Sequence, residues 1–179
     1  MGPGTGVAPM RALIQHRLLH PSPPEIAQAR GETRLYFGCR HASKDQHYSS
    51  EFLSYAQKPD NVFVYRVACS RDGKEGEKRR YVQDIMGSEE NGDGDARVIW
   101  DLVGKRGGYV YISGYVLFPS PFDSSTDLTV QRSSNKMPSA IRSTLQKIAM
   151  TEGGMREHEA GRWIVSLERV GRLVEECWS

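Results

Sequence analysis

Long apolar runs are missing from this 179-residue chain. The longest, Tyr109–Ile112 and Tyr115–Phe118, is interrupted by Ser113 and Gly114 and falls far short of the ~20 residues that cross a bilayer. With 38% hydrophobic residues and a mean hydropathy of −0.55, the composition points away from a membrane protein. Excess charge of one sign is also missing. The 24 Lys and Arg against 22 Asp and Glu leave a net +2, spread without the basic stripe of a nucleic-acid binder. Cysteine is scarce: Cys39, Cys69 and Cys177 are odd in number and have no metal-ligand spacing, which points to a reducing, cytoplasmic setting. No N-terminal stretch reads as a signal or transit peptide. His16 and His20 stand at i, i+4, but no third ligand follows and prolines begin at once, so no metal site is expected. The length suits one domain, or part of a larger protein, able to bury a core.

Strand and helix signals alternate along the chain. Val7–Leu19 carries an apolar stripe at Met10, Leu13, Ile14 and Leu18 and stops at the prolines of 21–24. Thr33–Cys39 predicts a strand and Ser49–Gln57 a short helix. Asn61–Cys69, rich in β-branched and aromatic residues, predicts a buried strand. Arg79–Met86 is weakly helical, and Asp95–Val103 predicts a helix ended by Gly104. Gly108–Ser113 predicts a strand, Met137–Met150 and Arg156–Val170 predict helices, and Arg172–Cys177 predicts a last strand. This alternation calls for a parallel sheet covered on both faces.

Four features carry chemistry. Gly2-Pro-Gly-Thr-Gly6 leads into a helix, so a backbone without side chains and a helix N-terminus with free N–H groups meet at one place. That suits a diphosphate, although a glycine turn before a helix is also ordinary architecture. Ser70-Arg71 follows the Asn61–Cys69 strand, and ligands of parallel sheets sit beyond the carboxyl ends of strands. A hydroxyl beside a guanidinium suits a phosphate monoester, and Lys78, Arg79, Arg80 and Tyr81 add cations and an aromatic face. The bland alternative is a solvated turn, since Asp72, Glu75 and Glu77 are interspersed. Gly108–Gly114 brings Ser113 and Gly114 to a strand end, and Trp178 offers a flat ring that either anchors packing or stacks on a cofactor. Cys39 and Cys69 read as small apolar residues at strand ends rather than nucleophiles.

In this order, residues 2–11 (GPGTGVAPMR), 35–40 (LYFGCR), 70–71 (SR), 79–83 (RRYVQ), 109–114 (YVYISG) and 177–179 (CWS) resemble the NADP(H)-binding module of the ferredoxin-reductase superfamily. Within it they resemble the C-terminal end of diflavin reductases. Residues 38–48 (GCRHASKDQHY) and 134–138 (SNKMP) look most like the fungal branch that serves cytosolic iron–sulfur cluster assembly. Microsomal cytochrome reductases and sulfite-reductase flavoproteins are the next resemblances. The resemblance implies an α/β doubly wound parallel sheet, without the strand that should lead into the glycine loop. It implies that Gly4, Thr5 and Gly6 cradle the diphosphate of NADP(H), and that Ser70, Arg71, Arg79 and Tyr81, with Gln83 beside them, hold the adenosine 2′-phosphate. Cys39, Arg40, Arg80, Val82 and Gly114 fall on further cofactor-binding positions. Trp178 would stack on the FAD ring, and Glu176 and Ser113 would lie near the nicotinamide. The family cysteine at that strand end is Ser113 here, and the acidic residue expected after Met137-Pro138 is replaced by Ser139-Ala140. FMN and FAD domains upstream on the same polypeptide, and an iron–sulfur assembly protein as electron acceptor, are likewise implied. So is electron flow from NADPH through FAD and FMN to that acceptor.

Residues 115–132 interrupt the pattern: removing these 18 residues restores Tyr-Ile-Ser-Gly-Ser-Ser-Asn-Lys-Met-Pro. The stretch contains no Lys, Glu or Gly and reads either as an intron translated in frame or as a lineage-specific loop. The whole chain, 1–179, is otherwise read as one NADP(H)-binding domain, of marginal stability by itself and inactive in hydride transfer without a flavin domain. A catalytically incompetent fragment is the competing reading. Sequencing of spliced transcripts decides the status of 115–132: a dominant message encoding them excludes the intron, and one lacking them excludes the loop.

Overall fold

The computed structural model describes residues 6–19, 31–59, 62–73, 79–87, 94–115 and 137–178. Four strands are present among them: β1 (Thr33–Cys39), β2 (Phe63–Cys69), β3 (Val110–Tyr115) and β4 (Leu173–Trp178). The helices are α1 (Val7–Leu19), α2 (Ala42–Asp45), α3 (Ser49–Ala56), α4 (Val82–Gly87), α5 (Ala96–Ile99), α6 (Met137–Thr151) and α7 (Glu157–Arg169). The pairs β1–β2 and β3–β4 are both parallel, and no ladder joins the pairs among the described residues. None of the described helices is long and apolar enough to cross a membrane.

Alternation along β1 sets the layers. Leu35, Phe37 and Cys39 face α1 and α3, where Val7, Met10, Ile14, Phe52 and Tyr55 complete one buried cluster. Tyr36 points the other way, into a second cluster built by α4, α5, α6 and α7. That second layer takes Ala68 from β2, Ile112 from β3 and Leu173 from β4, so one continuous core lies beneath both strand pairs. The result is the α/β arrangement expected from the sequence, helices on both faces of parallel strands. Helix α1 begins against Ser113 and Gly114 of β3 and packs along β1, so it crosses the break between the pairs.

Several expectations are corrected. Leu13, placed on the apolar stripe of α1, is 46% exposed, because Val7, Met10 and Ile14 already fill the face toward β1. The strand expected to be buried, β2, is half-exposed along most of its length, since β1 is its only partner among the described residues and only Phe63 and Ala68 are buried. It starts at Phe63, and Asn61 lies outside the described residues. The helix expected to end at Gly104 is α-helical only over Ala96–Ile99 and continues as a π-helical segment, Trp100–Lys105. Gly104 belongs inside it: a Cβ there would come within 2.5 Å of the Trp100 indole, which packs against Trp163. β3 also runs beyond Gly114 to Tyr115. The remainder of the 115–132 stretch lies outside the described residues.

One buried polar knot ties the lower end of the sheet to α5. Asp95 accepts the Tyr36 hydroxyl hydrogen bond at 2.9 Å and pairs with Arg34 at 3.0 Å, while Arg66 approaches to 3.6 Å. Burial, with the Asp95 charge, pushes the Tyr36 phenol well above its ordinary range. In the fold the hydroxyl therefore stays protonated where an unfolded tyrosine ionises, near pH 10. Its contribution to stability is complete below about pH 10 and is lost as pH rises above it. Tyr36→Phe is expected to cost about 1–2 kcal/mol at neutral pH. Above about pH 10 its urea midpoint should fall less steeply than that of the parent chain. Parallel declines of the two proteins would contradict this account.

Candidate functional site

Parallel pairing brings the carboxyl ends of β1 and β2 level, with Cys39 opposite Cys69. The chain then continues side by side. The Ser70 N–H donates to the Cys39 carbonyl at 3.0 Å, the Ser70 hydroxyl donates to the same oxygen at 3.3 Å, and the Arg71 N–H donates to the Arg40 carbonyl at 2.9 Å. Two further ladder rungs thus fix Arg40, Ser70 and Arg71 on one edge. Arg40 and Arg71 are exposed, and neither guanidinium pairs with a described carboxylate. The neighbouring acid, Asp72, is engaged elsewhere: it accepts from the Ala42 N–H and contacts the His41 Nδ1, each at 2.8 Å. Those bonds hold its carboxyl below the ordinary range, so it stays charged and tied to the start of α2.

Helix α4 delivers the third group of residues. Its first residue, Val82, is buried against β1 at Gly38, where an added Cβ would stand 3.0 Å from the valine Cγ2. Gly38 precedes Cys39, so Arg79, Arg80 and Tyr81, all exposed, arrive at the same end of the strands as Arg40 and Arg71. The Tyr81 N–H donates to the Asp84 carboxylate at 2.7 Å, which caps the start of α4 and holds Tyr81 at its mouth. Gln83 follows, half-buried. Like charges gathered on an exposed edge repel one another and attract an anion.

A second group forms at the ends of β3 and β4. Ser113 is fully buried, and its Oγ has no hydrogen-bond partner among the described residues. Gly6, at the entrance to α1, lies directly on it: a Cβ at Gly6 would come 3.0 Å from the Ser113 carbonyl oxygen and 3.2 Å from the Gly114 Cα. A side chain at position 6 would crowd the strand backbone, which would have to give by a few tenths of an ångström. Glu176 is exposed and stands in register beside Ser113, and Trp178 pairs in register with Tyr115. Gly4 and Thr5 lie outside the described residues. The sequence-expected residues therefore fall into two groups, both at the carboxyl ends of parallel strands. Val7 of α1 packs in the same cluster as Cys39 and so links them.

Sequence reading missed His41 and Asp72 as the groups that orient this edge. They stand 31 residues apart, and only the strand register reveals their meeting. It also missed the clamp on α1, in which Arg11 donates to Glu51 at 2.7 Å, Gln15 and Tyr55 donate to the same carboxylate, and Arg11 lies over the Tyr48 ring. These bonds hold the Glu51 carboxyl below its ordinary range. No spacing signal announces either network.

A family model described as the oxidoreductase NAD-binding domain matches residues 1–116. The chain is 33% identical over 178 residues to the NADPH-dependent diflavin oxidoreductase 1 of Mycosarcoma maydis, covering 99% of this chain and 22% of that protein. It is 32% identical over 179 residues to the protein of the same name from Danio rerio, covering 100% of this chain and 24% of that protein. It is also 32% identical over 179 residues to the NADPH–cytochrome P450 reductase of Drosophila melanogaster, with 100% and 22% covered. The chain thus spans less than a quarter of the length of these curated relatives.

A buried hydroxyl without a partner costs free energy, and its removal should not. Ser113→Ala is accordingly expected to leave the urea midpoint unchanged or to raise stability by up to about 1 kcal/mol. A loss larger than that would show that the hydroxyl is satisfied in the folded protein.

Proposed function

The chain belongs to the oxidoreductase NAD-binding domain family, and from that premise we propose that it is the NADP(H)-binding module of a flavin-dependent electron-transfer enzyme. The observation that carries the reading is the ladder that sets Arg40 beside Ser70 and Arg71 at the ends of β1 and β2, with Val82 seated on Gly38 and so bringing the start of α4, with Arg79 and Tyr81 just ahead of it, toward the same strand ends. The guanidinium groups of Arg40 and Arg71 are exposed there, while the adjacent acid, Asp72, is bound to His41 and Ala42. In this reading Arg71 and Ser70 take the 2′-phosphate of NADP(H), with Arg79, Arg80 and Gln83 supporting and Tyr81 offering an aromatic face to the adenine. Arg40 adds positive charge from the neighbouring strand.

The second group suits the other half of the dinucleotide. The close Gly6–Ser113 contact, which a Cβ would crowd, leaves room for a diphosphate to approach the backbone at the start of α1, where N–H groups are unpaired by the helix. Gly4 and Thr5 would extend that cradle. Ser113, Gly114 and Glu176 would border the nicotinamide, and Trp178 would cover the flavin face that the nicotinamide must reach. When bound, NADPH supplies a hydride, and this chain's residues bind and orient it. FAD and FMN would be carried by other domains of the same polypeptide, as the diflavin names of the relatives suggest.

For the terminal acceptor, the motifs at 38–48 and 134–138 favour an iron–sulfur assembly protein in the cytoplasm. The equal identity to a cytochrome P450 reductase supports a haem protein as the second reading. Neither alternative changes the role of this module. A chain that binds no nucleotide at all would be a catalytically incompetent fragment.

Calorimetric titration with adenosine 2′,5′-bisphosphate tests the reading. Saturable binding is expected, weakened at least about tenfold by Arg71→Ala, or about 1.4 kcal/mol. Adenosine 5′-phosphate, which lacks the 2′-phosphate, should be insensitive to that substitution. Equal affinity of parent and variant for the bisphosphate would remove the site.

A further inference from the structure

Cys39 and Cys69 are register partners at the ends of neighbouring parallel strands, and both are free thiols. Their sulfur atoms stand 3.4 Å apart. Adjacent strands lie about 4.8 Å apart, within the roughly 4.4–6.8 Å between Cα atoms that a disulfide spans. Bond formation therefore needs the sulfurs to close by a little over an ångström, to about 2.05 Å. Cys39 is buried and Cys69 half-buried, so an oxidant reaches the pair through Cys69. The residues that follow them are Arg40 on one strand and Ser70-Arg71 on the other.

We propose that Cys39 and Cys69 are a reversible dithiol switch, oxidised to a disulfide by a hydroperoxide, whose closure weakens anion binding at the Arg40–Ser70–Arg71 edge. The chemistry balances. The Cys69 sulfur attacks one peroxide oxygen, the O–O bond breaks, and water leaves with Cys69 as a sulfenic acid. The Cys39 sulfur then displaces that hydroxyl, forming the S–S bond and releasing a second water. Two thiols lose two electrons and two protons, and one hydrogen peroxide becomes two waters. A small dithiol reductant reverses the change by exchange through a mixed disulfide.

Closure acts on the neighbouring edge through the backbone. The Cys39 carbonyl accepts both hydrogen bonds of Ser70, and the Arg40 carbonyl accepts that of Arg71. Drawing the two side chains together shifts the last residues of both strands, and those rungs transmit the shift to the phosphate-facing groups. Bidentate contacts to a phosphate tolerate little displacement. The pair reacts sluggishly, because burial pushes the Cys39 thiol up to about 12 and also raises that of Cys69, leaving little thiolate to attack an oxidant. Oxidation is consequently slow and follows sustained peroxide rather than brief exposure.

The disulfide half of the proposal is independent of function, whereas the affinity half rests on the nucleotide site proposed above. The test uses the full chain carrying Cys177→Ser, treated with hydrogen peroxide and digested for mass spectrometry. A Cys39–Cys69 cross-linked peptide is expected, with a loss of about 2 Da from the intact chain for the two hydrogens. Dithiothreitol should restore the mass, and Cys69→Ser should abolish the cross-link. The oxidised chain should bind adenosine 2′,5′-bisphosphate at least about fivefold more weakly, recovering on reduction. Overoxidation to sulfinic acids without the cross-link, or unreacted thiols after prolonged peroxide, overturns the switch. A cross-linked chain with unchanged affinity also overturns it. If the reduced chain binds no bisphosphate, the nucleotide reading fails instead, and the mass spectrum still decides the dithiol.

Discussion

The register between β1 and β2 is the constraint on which the rest depends. Leu35 and Phe37 are buried on one face and Tyr36 on the other, so a slip by one residue would turn apolar side chains to the wrong layer. Because that register is held by the core, Cys39 must meet Cys69, and Arg40 must come out beside Ser70 and Arg71. An edge crowded with cations is therefore positioned by hydrophobic packing several residues below it. Repulsion among the guanidinium groups is tolerated because they are exposed and screened. An arriving phosphate would turn the same crowding into attraction.

The break between the strand pairs gives the second half of the site its character. β3 and β1 are not joined by a described ladder, and α1 spans them, seated on Ser113 at its start and on Leu35 and Phe37 along its length. Strand ends with helices crossing between them form the crevice in which open α/β sheets bind dinucleotides. Here the ends of β1 and β2 carry cations and an aromatic residue, and the ends of β3 and β4 carry a glycine-to-backbone contact with a buried hydroxyl beneath it. The proposed dinucleotide, with a phosphate at one end and a flat polar ring at the other, would match that polarity.

Much of this was legible in the sequence. The apolar run at Leu35–Cys39, buried on both faces, and the helical spacing in 137–150 and 156–170 are local patterns, and the corresponding elements appear where local pattern predicts them. The relative burial of strands was not legible, since a β-branched run such as 62–69 looks the same at an edge as at a centre. The π-helical continuation through Gly104 depends on where Trp100 and Trp163 meet, and the His41–Asp72 and Arg11–Glu51 contacts join residues 31 and 40 positions apart. Candidate residues came from their types at strand ends and from the family resemblance. What orients them is tertiary and left no trace in spacing.

The central claim, that the arginine-lined edge of β1 and β2 receives a 2′-phosphate, is tested most directly by residue-resolved amide NMR of the chain titrated with adenosine 2′,5′-bisphosphate. The account predicts shifts concentrated at Arg40, Ser70, Arg71 and Arg79–Gln83, with Asp72 and His41 following. Shifts centred instead on the outer face of α7, where His158, Arg162, Val165 and Arg169 line a shallow groove, would contradict it.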